Sequence, residues 1–421
     1  MNNETKLLGV ASSPHVSSPI GTRTLMLDVL VALVPSLCVA VFFFGLRALI
    51  ATAISVAACE VFEWGYRKLL HKTNTNGDLS AAVTGVLLAF VCPVTLPYWM
   101  LIIGDFFAIV VVKQLFGGLG KNFVNPALAG RAFLMLSYPV AMTTWATPGQ
   151  RVGLLSAADA VTGATPLSAD FMHQGLLPEG VSLQNMFVGN IGGCMGEISA
   201  LLLLCGGVYL VVRGVIRLRV PVAFIGTVAV LTFLFPMGGN DRLTWMLYEV
   251  LGGGLMLGAI FMATDYVTSP TTPVGEILFG IGCGLLTVFI RYFGGYPEGV
   301  SYAILIMNAC VWLLDKAGKP GRFGQAQAVV LVLAQLFEPT IRRFHDMRRC
   351  GGSLRQKILR KNPRRTVRVQ AHLRLSARQR KFGLLLQFGN AIRPLFERAP
   401  QLLSLKRRVA IGALFLAVIT F

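Results

Sequence analysis

Residues 25–44 read LMLDVLVALVPSLCVAVFFF, an apolar run whose one charged side chain is Asp28. A helix rises about 1.5 Å per residue, so a run of about 20 residues matches the roughly 30 Å hydrocarbon core of a bilayer. Apolar runs of similar length recur as far as residue 315. The stretch predicts a membrane-spanning helix, and its recurrence predicts a polytopic membrane protein.

The composition supports this class. The chain has 421 residues, of which 54% are hydrophobic and 14% charged, and its mean hydropathy is +0.66. A soluble protein carries about 25% charged residues, so this chain cannot cover a soluble surface. The composition excludes a soluble enzyme, a disordered chain and a secreted disulfide scaffold. Residues 1–20 lack the apolar core of a secretory signal, so we expect the first apolar run to be a retained span.

The expected fold class is an all-α integral membrane protein with about ten transmembrane helices, some of them broken or rich in glycine. The spans are predicted near 25–44, 47–66, 79–96, 98–116, 123–140, 196–212, 220–237, 244–263, 275–293 and 299–315. Prolines make the third to fifth spans the least regular. The pairs Gly192–Gly193 and Gly206–Gly207 and the run Gly252–Gly254 are expected to let helices approach closely.

The distribution of Lys and Arg predicts the orientation. With residue 1 in the cytoplasm, thirteen of these residues fall on cytoplasmic segments, and only Arg47, Arg151, Arg242 and Arg291 fall on the opposite side. This is the asymmetry of the positive-inside rule. The predicted regions are a cytoplasmic segment 1–24, a membrane domain 25–324 with an external loop at about 141–195, and a basic cytoplasmic tail 325–421.

The positive charge of the chain lies mostly in that tail. Residues 325–421 hold 20 of the 38 Lys and Arg residues but 3 of the 19 Asp and Glu residues. Such a segment beside a membrane domain is predicted to contact anionic lipid, and nucleic-acid binding is not expected. The closing run 409–421 would reach only about 20 Å as a helix, too short to cross the bilayer. Two interpretations stay open: a basic interfacial helix, and a poorly folded extension from a misread gene end.

Metal and nucleotide sites are not expected. The eight cysteines form no Cys-x-x-Cys pair and lie mostly in apolar runs, where cysteine behaves as a small buried hydrophobe. The five histidines are dispersed, and no glycine-rich phosphate loop is present. No residue is assigned a catalytic role.

One segment of the external loop could carry chemistry. Residues 159–166 read DAVTGATP, which places the hydroxyl of Thr165 beside residues with almost no side chain. Small neighbours and a flexible glycine would let another enzyme grip the loop and modify this threonine. The alternative is an ordinary turn in which Asp159 or Thr162 bonds nearby backbone amides.

Several motifs in order resemble the family that contains the D subunit of the Rnf ion-translocating oxidoreductase and the B subunit of the sodium-translocating NADH:quinone reductase, over about residues 13–324. They are Ser13-Pro14-His15, Asn125-Pro126-Ala127 with Gly130-Arg131, the DAVTGATP segment, Gly192-Gly193 with Gly196-Glu197, residues 261–265 (FMATD), residues 267–272 (VTSPTT) and residues 293–299 (FGGYPEG). The sequence departs from the family at Tyr266, where proline is usual.

The resemblance implies FMN attached through its phosphate to Thr165 by a flavin transferase. Asp159, Thr162, Gly163 and Ala164 would be the recognition sequence. It also implies an electron-transfer subunit of a redox-driven ion-translocating complex in the bacterial inner membrane, with a flavin-bearing subunit among its partners. A second, non-covalent flavin such as riboflavin is possible in the family, and no residue here is assigned to it.

Acidic residues in or beside predicted spans are the candidates for an ion path. A carboxylate in hydrocarbon is costly unless it faces a partner or a water-filled path. For a complex that moves Na⁺ or H⁺, Asp105 and Asp265 are the candidates, and the alternative is a buried carboxylate bonded to a neighbouring helix. The hydroxyl-rich segment 267–273 is interpreted either as an ion or flavin contact or as a tight turn.

A different class of function fits the same features. Glycine-rich broken helices and buried carboxylates also occur in secondary transporters and channels for small solutes. That alternative predicts solute uptake by the isolated chain and no effect of Thr165→Ala.

Overall fold

The computed structural model describes residues 21–149, 153–154, 162–163, 167, 182–197, 199–237, 240–294 and 299–318. The described chain is mostly helical. Its helices, in order, are α1 (Thr22–Phe44), α2 (Leu46–Leu69), α3 (Ser80–Phe90), α4 (Tyr98–Phe106), α5 (Pro126–Ser137), α6 (Pro139–Met142), α7 (Leu183–Val188), α8 (Ala200–Val212), α9 (Arg219–Leu234), α10 (Arg242–Leu251), α11 (Leu255–Leu257), α12 (Pro273–Phe293), α13 (Val300–Ala309) and α14 (Val311–Gly318). A short 3₁₀ helix, Asn76–Asp78, precedes α3.

Two of these helices continue as π-helix, which the sequence did not predict. After α4 the segment Phe107–Gln114 is π-helical, and the Leu115 amide donates to the carbonyl of Val110, five residues earlier, at 3.0 Å. After α11 the segment Gly258–Met262 has the same geometry. π-helical segments are rare and frequently occur at functional sites.

Each of the ten predicted spans overlaps a helix of the structure. Within the described residues, however, only α1 and α12 are both long and apolar enough to cross a membrane. A third span is possible if α10 and the segment Leu255–Met262, which are bent by 61° at the break between them, are one span. The count of ten therefore stays a prediction.

Local sequence explains several helix starts. Asn125 caps α5 by accepting from the amides of Ala127 and Leu128, and Pro126 follows at the first helical position. Thr272 caps α12 in the same way, with Pro273 next. A side-chain acceptor satisfies amides that lack an intrahelical partner, and proline at that position has no N–H to lose.

The only described strands are β1 (Trp145–Ala146) and β2 (Thr162–Gly163), both in the predicted external loop. They pair antiparallel, with Trp145 opposite Gly163 and Ala146 opposite Thr162. This small sheet is an addition to the predicted all-α fold.

The chain packs as two compact units. Unit 1 is drawn from Met1–Gly163, Phe187–Leu218 and Ile260–Met262, and unit 2 from Ala164–Met186, Arg219–Ala259 and Ala263–Phe421. In unit 1, α2 packs against α3, α4 and the π-helix that follows α4, and α1 packs against α8. In unit 2, α12 packs against α9, α13 and α14.

Glycines serve two purposes. Gly206 in α8 lies so close to α1 that an added Cβ would be 2.5 Å from the carbonyl oxygen of Ala32, as expected for close helix packing. The run 252–254 is different, because Gly253 and Gly254 have φ of 64° and 67°. These left-handed values end α10, so here glycine breaks a helix. Gly192–Gly193 lies in the loop before α8 and not in a helix.

The contact between α9 and α12 gives a stability prediction. A Cβ on Gly280 would lie 2.7 Å from the Cβ of Ala223 and 2.9 Å from the carbonyl oxygen of Val220. We expect Gly280→Ala to force the helices apart and cost about 1–3 kcal/mol. Thermal unfolding of the purified protein in detergent measures this effect.

The matched control is Gly226→Ala on α9, because nothing lies within 4 Å of the added Cβ. This change should be neutral or slightly stabilising, since alanine favours a helix by up to about 1 kcal/mol over glycine. Equal melting temperatures for the two variants would contradict the close packing.

Candidate functional site

The predicted flavin-attachment sequence is only partly described. Thr162 and Gly163 form β2, and their backbone pairs with β1. Asp159, Ala164 and Thr165 lie outside the described residues. The assignment of Thr165 therefore stays a prediction, and what the structure shows is how the neighbouring residues are held.

In unit 1, the segment 194–197 binds the C-terminal end of α3. The amides of Met195 and Gly196 donate to the carbonyls of Cys92 and Phe90, at 3.2 and 2.9 Å. Gly196 is required here, because an added Cβ would overlap the ring of Phe90. Glu197 accepts from the Cys194 amide at 3.1 Å, so the motif Gly196-Glu197 fixes this loop against a helix end.

In unit 2, Leu167 follows Thr165 by two residues and is 1% exposed. Its Cδ1 lies over Gly252 and Gly253, and a Cβ on Gly253 would overlap it. Leu167 is therefore buried against the break that ends α10. This contact fixes Leu167 itself, two residues after the predicted attachment residue.

The same break binds a buried arginine. Arg291 of α12 donates through Nη1 to the carbonyl of Glu249 at 2.6 Å and through Nη2 to the carbonyls of Gly252 and Gly253 at 3.0 and 3.2 Å. Nη1 also lies 2.8 Å from Glu249 Oε2, and both side chains are fully buried. The guanidinium thus takes the place of the amides or water that would otherwise satisfy the last carbonyls of a helix.

A second buried arginine does the same in unit 1. Arg47, 1% exposed, donates through Nε to the carbonyl of Val94 at 2.8 Å and through Nη2 to that of Leu96 at 3.3 Å. These carbonyls lie in the break between α3 and α4. Nη1 donates to the carbonyl of Gly153, in the predicted external loop, at 2.8 Å.

The burial of basic residues bears on the charge asymmetry from which the orientation is predicted. Arg47 and Arg291, which lie on the predicted external side, are both buried and bind backbone carbonyls. On the predicted cytoplasmic side, Lys113 and Arg67 are also buried. The asymmetry thus rests on fewer exposed charges than the sequence suggests.

Asp105 is the most deeply placed of the predicted ion-path residues. It lies on α4 with no exposed surface. Its Oδ1 is 2.6 Å from Ser55 Oγ and 3.3 Å from Cys59 Sγ, both on α2. Its Oδ2 has no hydrogen-bond partner in the described structure.

A buried polar stripe continues along α2. Ser55, Cys59 and Glu63 follow each other at intervals of four residues, so they share one helix face. At the far end, Glu63 Oε2 accepts from Lys113 Nζ at 2.7 Å, and the same ammonium donates to Ser80 Oγ at 2.6 Å. Thr75 Oγ1 donates to Glu63 Oε1 at 2.8 Å. Lys113 lies in the π-helix and contacts the α2 stripe through Glu63.

Asp265, the other candidate, lies in unit 2 and has a different setting. It lies in the turn after the second π-helix and is half-buried. Thr268 Oγ1 donates to its Oδ2 at 3.1 Å. The structure thus places the two candidates in separate units.

The hydroxyl-rich segment 267–273 is organised by Asp315. Asp315 Oδ1 accepts from the amides of Thr271 and Thr272 at 2.9 and 3.3 Å and lies near both hydroxyls. These contacts support the interpretation of this segment as a tight turn.

Sequence reasoning missed Arg47, Lys113 and Arg291 as members of buried polar sites, whereas Glu63 is among the acidic residues in or beside the predicted spans. One signal was available: α2 carries polar residues every four positions from Ser55 to Arg67 within a predicted span. No signal in the sequence indicated the π-helix that carries Lys113.

The helices are apolar, glycine and proline break several of them, and buried arginines bind the broken ends. These features are typical of helical integral membrane proteins with discontinuous helices. The family is shown by comparison. The model of the NQR2, RnfD, RnfE family matches residues 9–324, and the chain belongs to this family.

Three relatives align with this chain over nearly the whole of their own length. The D subunit of the Na(+)-translocating ferredoxin:NAD(+) oxidoreductase complex of Acetobacterium woodii is 46% identical over 319 residues, which are 75% of this chain and 95% of the relative. The D subunit of the proton-translocating ferredoxin:NAD(+) oxidoreductase complex of Clostridium ljungdahlii is 43% identical over 75% and 96%. The D subunit of the ion-translocating oxidoreductase complex of Actinobacillus succinogenes is 34% identical over 74% and 96%. None of these matches covers the whole of this chain.

Proposed function

We propose that this chain is the membrane electron-transfer subunit of an Rnf-type, ion-translocating oxidoreductase complex, with FMN in phosphoester linkage on Thr165. The observation that carries the proposal is the DAVTGATP segment in a chain of this family. The names of the relatives support the complex and its coupling to Na⁺ or H⁺.

The described residues around the segment fit a covalent attachment. β2 ends two residues before Thr165, and the buried Leu167 follows it by two. A covalent bond to Thr165 would keep the flavin from being lost by dilution and within reach of its donor and acceptor. FMN, when bound, would supply one- and two-electron redox chemistry. The chain would supply attachment at Thr165 and recognition of the loop through Asp159, Thr162, Gly163 and Ala164.

The coupled ion is assigned to the buried polar residues. Asp105 is the stronger candidate, because its fully buried carboxyl has an oxygen without a partner in the described structure. Asp265 stays a candidate, although its bond with Thr268 also suits a turn. A second, non-covalent flavin such as riboflavin belongs to the proposal without an assigned site.

The proposed location is the bacterial inner membrane, with both termini in the cytoplasm and the Thr165 loop outside it. The proposed partners are the other subunits of the complex, including a flavin-bearing one, a flavin transferase during maturation, and membrane lipid. Nucleic acid is not proposed as a partner. The tail 325–421 lies outside the described residues, and a lipid-surface role for it rests on its charge.

The second candidate function is a transporter or channel for a small solute. It is favoured by the two helix breaks whose carbonyls Arg47 and Arg291 bind. It predicts solute uptake by the purified chain in liposomes, without other subunits. Uptake by the isolated chain with no covalent flavin in the assembled complex would favour this candidate.

The direct test is to express the full chain with and without a flavin transferase. We expect a fluorescent band on a denaturing gel only with the transferase, and a peptide spanning Thr165 whose mass is increased by that of the FMN phosphoester. A protein that stays dark in both samples contradicts the flavin assignment.

A further inference from the structure

The hydrogen bonds of Asp105 show how many protons its site needs. Ser55 Oγ lies 2.6 Å from Asp105 Oδ1 and 2.9 Å from the carbonyl oxygen of Gly85. Carbonyl and carboxylate oxygens only accept hydrogen bonds, and a serine hydroxyl has one proton to donate. If Asp105 is ionised, Ser55 can serve only one of these two acceptors.

A protonated Asp105 satisfies both contacts. Asp105 then donates to Ser55 Oγ, and the Ser55 hydroxyl donates to the Gly85 carbonyl. The 2.6 Å distance between the two side-chain oxygens fits a hydrogen bond in either protonation state, so the count of donors and acceptors decides between them. One additional proton thus completes a chain from Asp105 through Ser55 to Gly85.

The charge balance around Asp105 points the same way. Cys59 of α2 faces it, and Glu63 of α2 is already paired with Lys113 of the π-helix. Arg131 of α5 contacts Cys194 at 3.7 Å, and Cys92 lies in the break after α3. Among the described residues no cation forms a salt bridge with Asp105. An ionised carboxylate buried without a cation is very costly.

We propose that the Asp105 site always holds one positive charge, as either a proton or an alkali cation such as Na⁺. In the described state Asp105 is the neutral acid. In the exchanged state the carboxyl O–H bond breaks, the proton leaves to water, and Na⁺ binds the carboxylate. The net charge of the buried site is then the same before and after exchange.

The surrounding oxygens suit the cation. Asp105 offers two carboxylate oxygens, one of which has no partner in the described structure, and Ser55 Oγ and Gly85 O lie next to them. Carboxylate, hydroxyl and carbonyl oxygens are the ligands of hard cations.

Gly85 is what brings its carbonyl so close. A Cβ at this position would lie 2.8 Å from the Cα of Val56, so α3 approaches α2 more closely than any other residue would allow. The close approach places a backbone oxygen of one helix beside Ser55 of the other.

This inference rests on the proposed function, because exchange matters only if the complex moves an ion. The test is infrared difference spectroscopy of the assembled complex, which detects the C=O stretch of a protonated carboxyl apart from ionised carboxylates. We expect this band in sodium-free buffer, a decrease on adding NaCl, and release of one proton for each Na⁺ bound. Choline chloride at the same ionic strength is the control.

Variants assign the band. Asp105→Asn should remove it and still assemble, because the amide can donate to Ser55 Oγ as the protonated acid does. Asp28→Asn should leave the band unchanged, because Asp28 lies apart from the Asp105 site, accepts from Tyr209 Oη at 2.9 Å and is paired with Arg213 at 3.2 Å. Ser55→Ala should shift the band without removing it, and this variant assigns the band even if Asp105→Asn does not assemble.

The outcomes are separable. A complex with no protonated-carboxyl band that depends on Asp105 overturns the proposal. A band that NaCl does not change overturns the exchange with Na⁺. Covalent flavin is measured by gel fluorescence on the same samples, so a band in a flavin-free complex would contradict the proposed function and leave this site standing.

Discussion

Replacing Thr165 with alanine is expected to abolish covalent flavin on this chain completely. A phosphoester needs the side-chain oxygen, and alanine has none. The measurement is in-gel fluorescence of the denatured protein after co-expression with a flavin transferase, with peptide mass spectrometry of residues around 165. Electron transfer through the assembled complex should be lost in the same variant.

The matched control is Thr143→Ala. Thr143 lies in the same predicted external loop, and its hydroxyl donates only to carbonyls of its own turn, Pro139 at 2.9 Å and Val140 at 3.4 Å. This variant should keep the full fluorescence of the wild-type chain. A fluorescent Thr165→Ala protein would move the attachment to another residue or refute it.

Replacing Arg291 with methionine is expected to give the largest loss of stability of any single change considered. The substitution leaves the Glu249 carboxylate buried without its cation and removes the donors for the carbonyls of Gly252 and Gly253. Breaking a fully buried pair from one side costs about 3–5 kcal/mol. Thermal unfolding in detergent and the yield of assembled complex measure this loss.

Arg219→Met is the control, since it breaks another Arg–Glu pair of unit 2. Arg219 lies 3.0 Å from Glu276, but its side chain is 45% exposed. Water compensates for much of that pair, so we expect a loss of at most about 1 kcal/mol. Similar melting temperatures for the two variants would show that the burial of Arg291 is not what matters.

Adding Glu249→Gln to Arg291→Met should recover part of the loss. The double variant has no unpaired buried charge, although the helix-end carbonyls still lack their donors. If Glu249→Gln makes the Arg291→Met protein less stable still, the cost comes from something other than the orphaned carboxylate.

The positions of the helices could be predicted from the sequence, because hydrophobicity alone determines which segments enter a bilayer. Predicted spans 25–44 and 275–293 fall on α1 and α12 almost residue for residue. The prolines before α4 correctly indicated an irregular helix. The role of Gly252–Gly254 in ending a helix was not predictable, because other glycines, Gly206 and Gly207 in α8, allow close helix packing instead.

The buried polar contacts could not be predicted in the same way. Arg47 and Arg291 stand near the ends of apolar runs, where an arginine usually reaches water. Their partners are backbone carbonyls, which every residue has, so the sequence does not indicate which carbonyls an arginine will bind. Lys113, the partner of Glu63, lies in a π-helix, and the hydrogen-bond spacing that defines such a helix leaves no mark in the composition. Asp105 was predicted because a carboxylate inside a span is rare in itself.

The two arginines that bind broken helix ends also set an order of events during synthesis. Arg47 is made 47 residues before Val94, so its guanidinium is in place when that break emerges from the ribosome. Glu249 is made 42 residues before Arg291, so the carbonyls at the end of α10 must wait for their donor. Lipid offers no hydrogen bond in the meantime. The carbonyls at the end of α10 therefore lack their guanidinium donor until α12 has been translated.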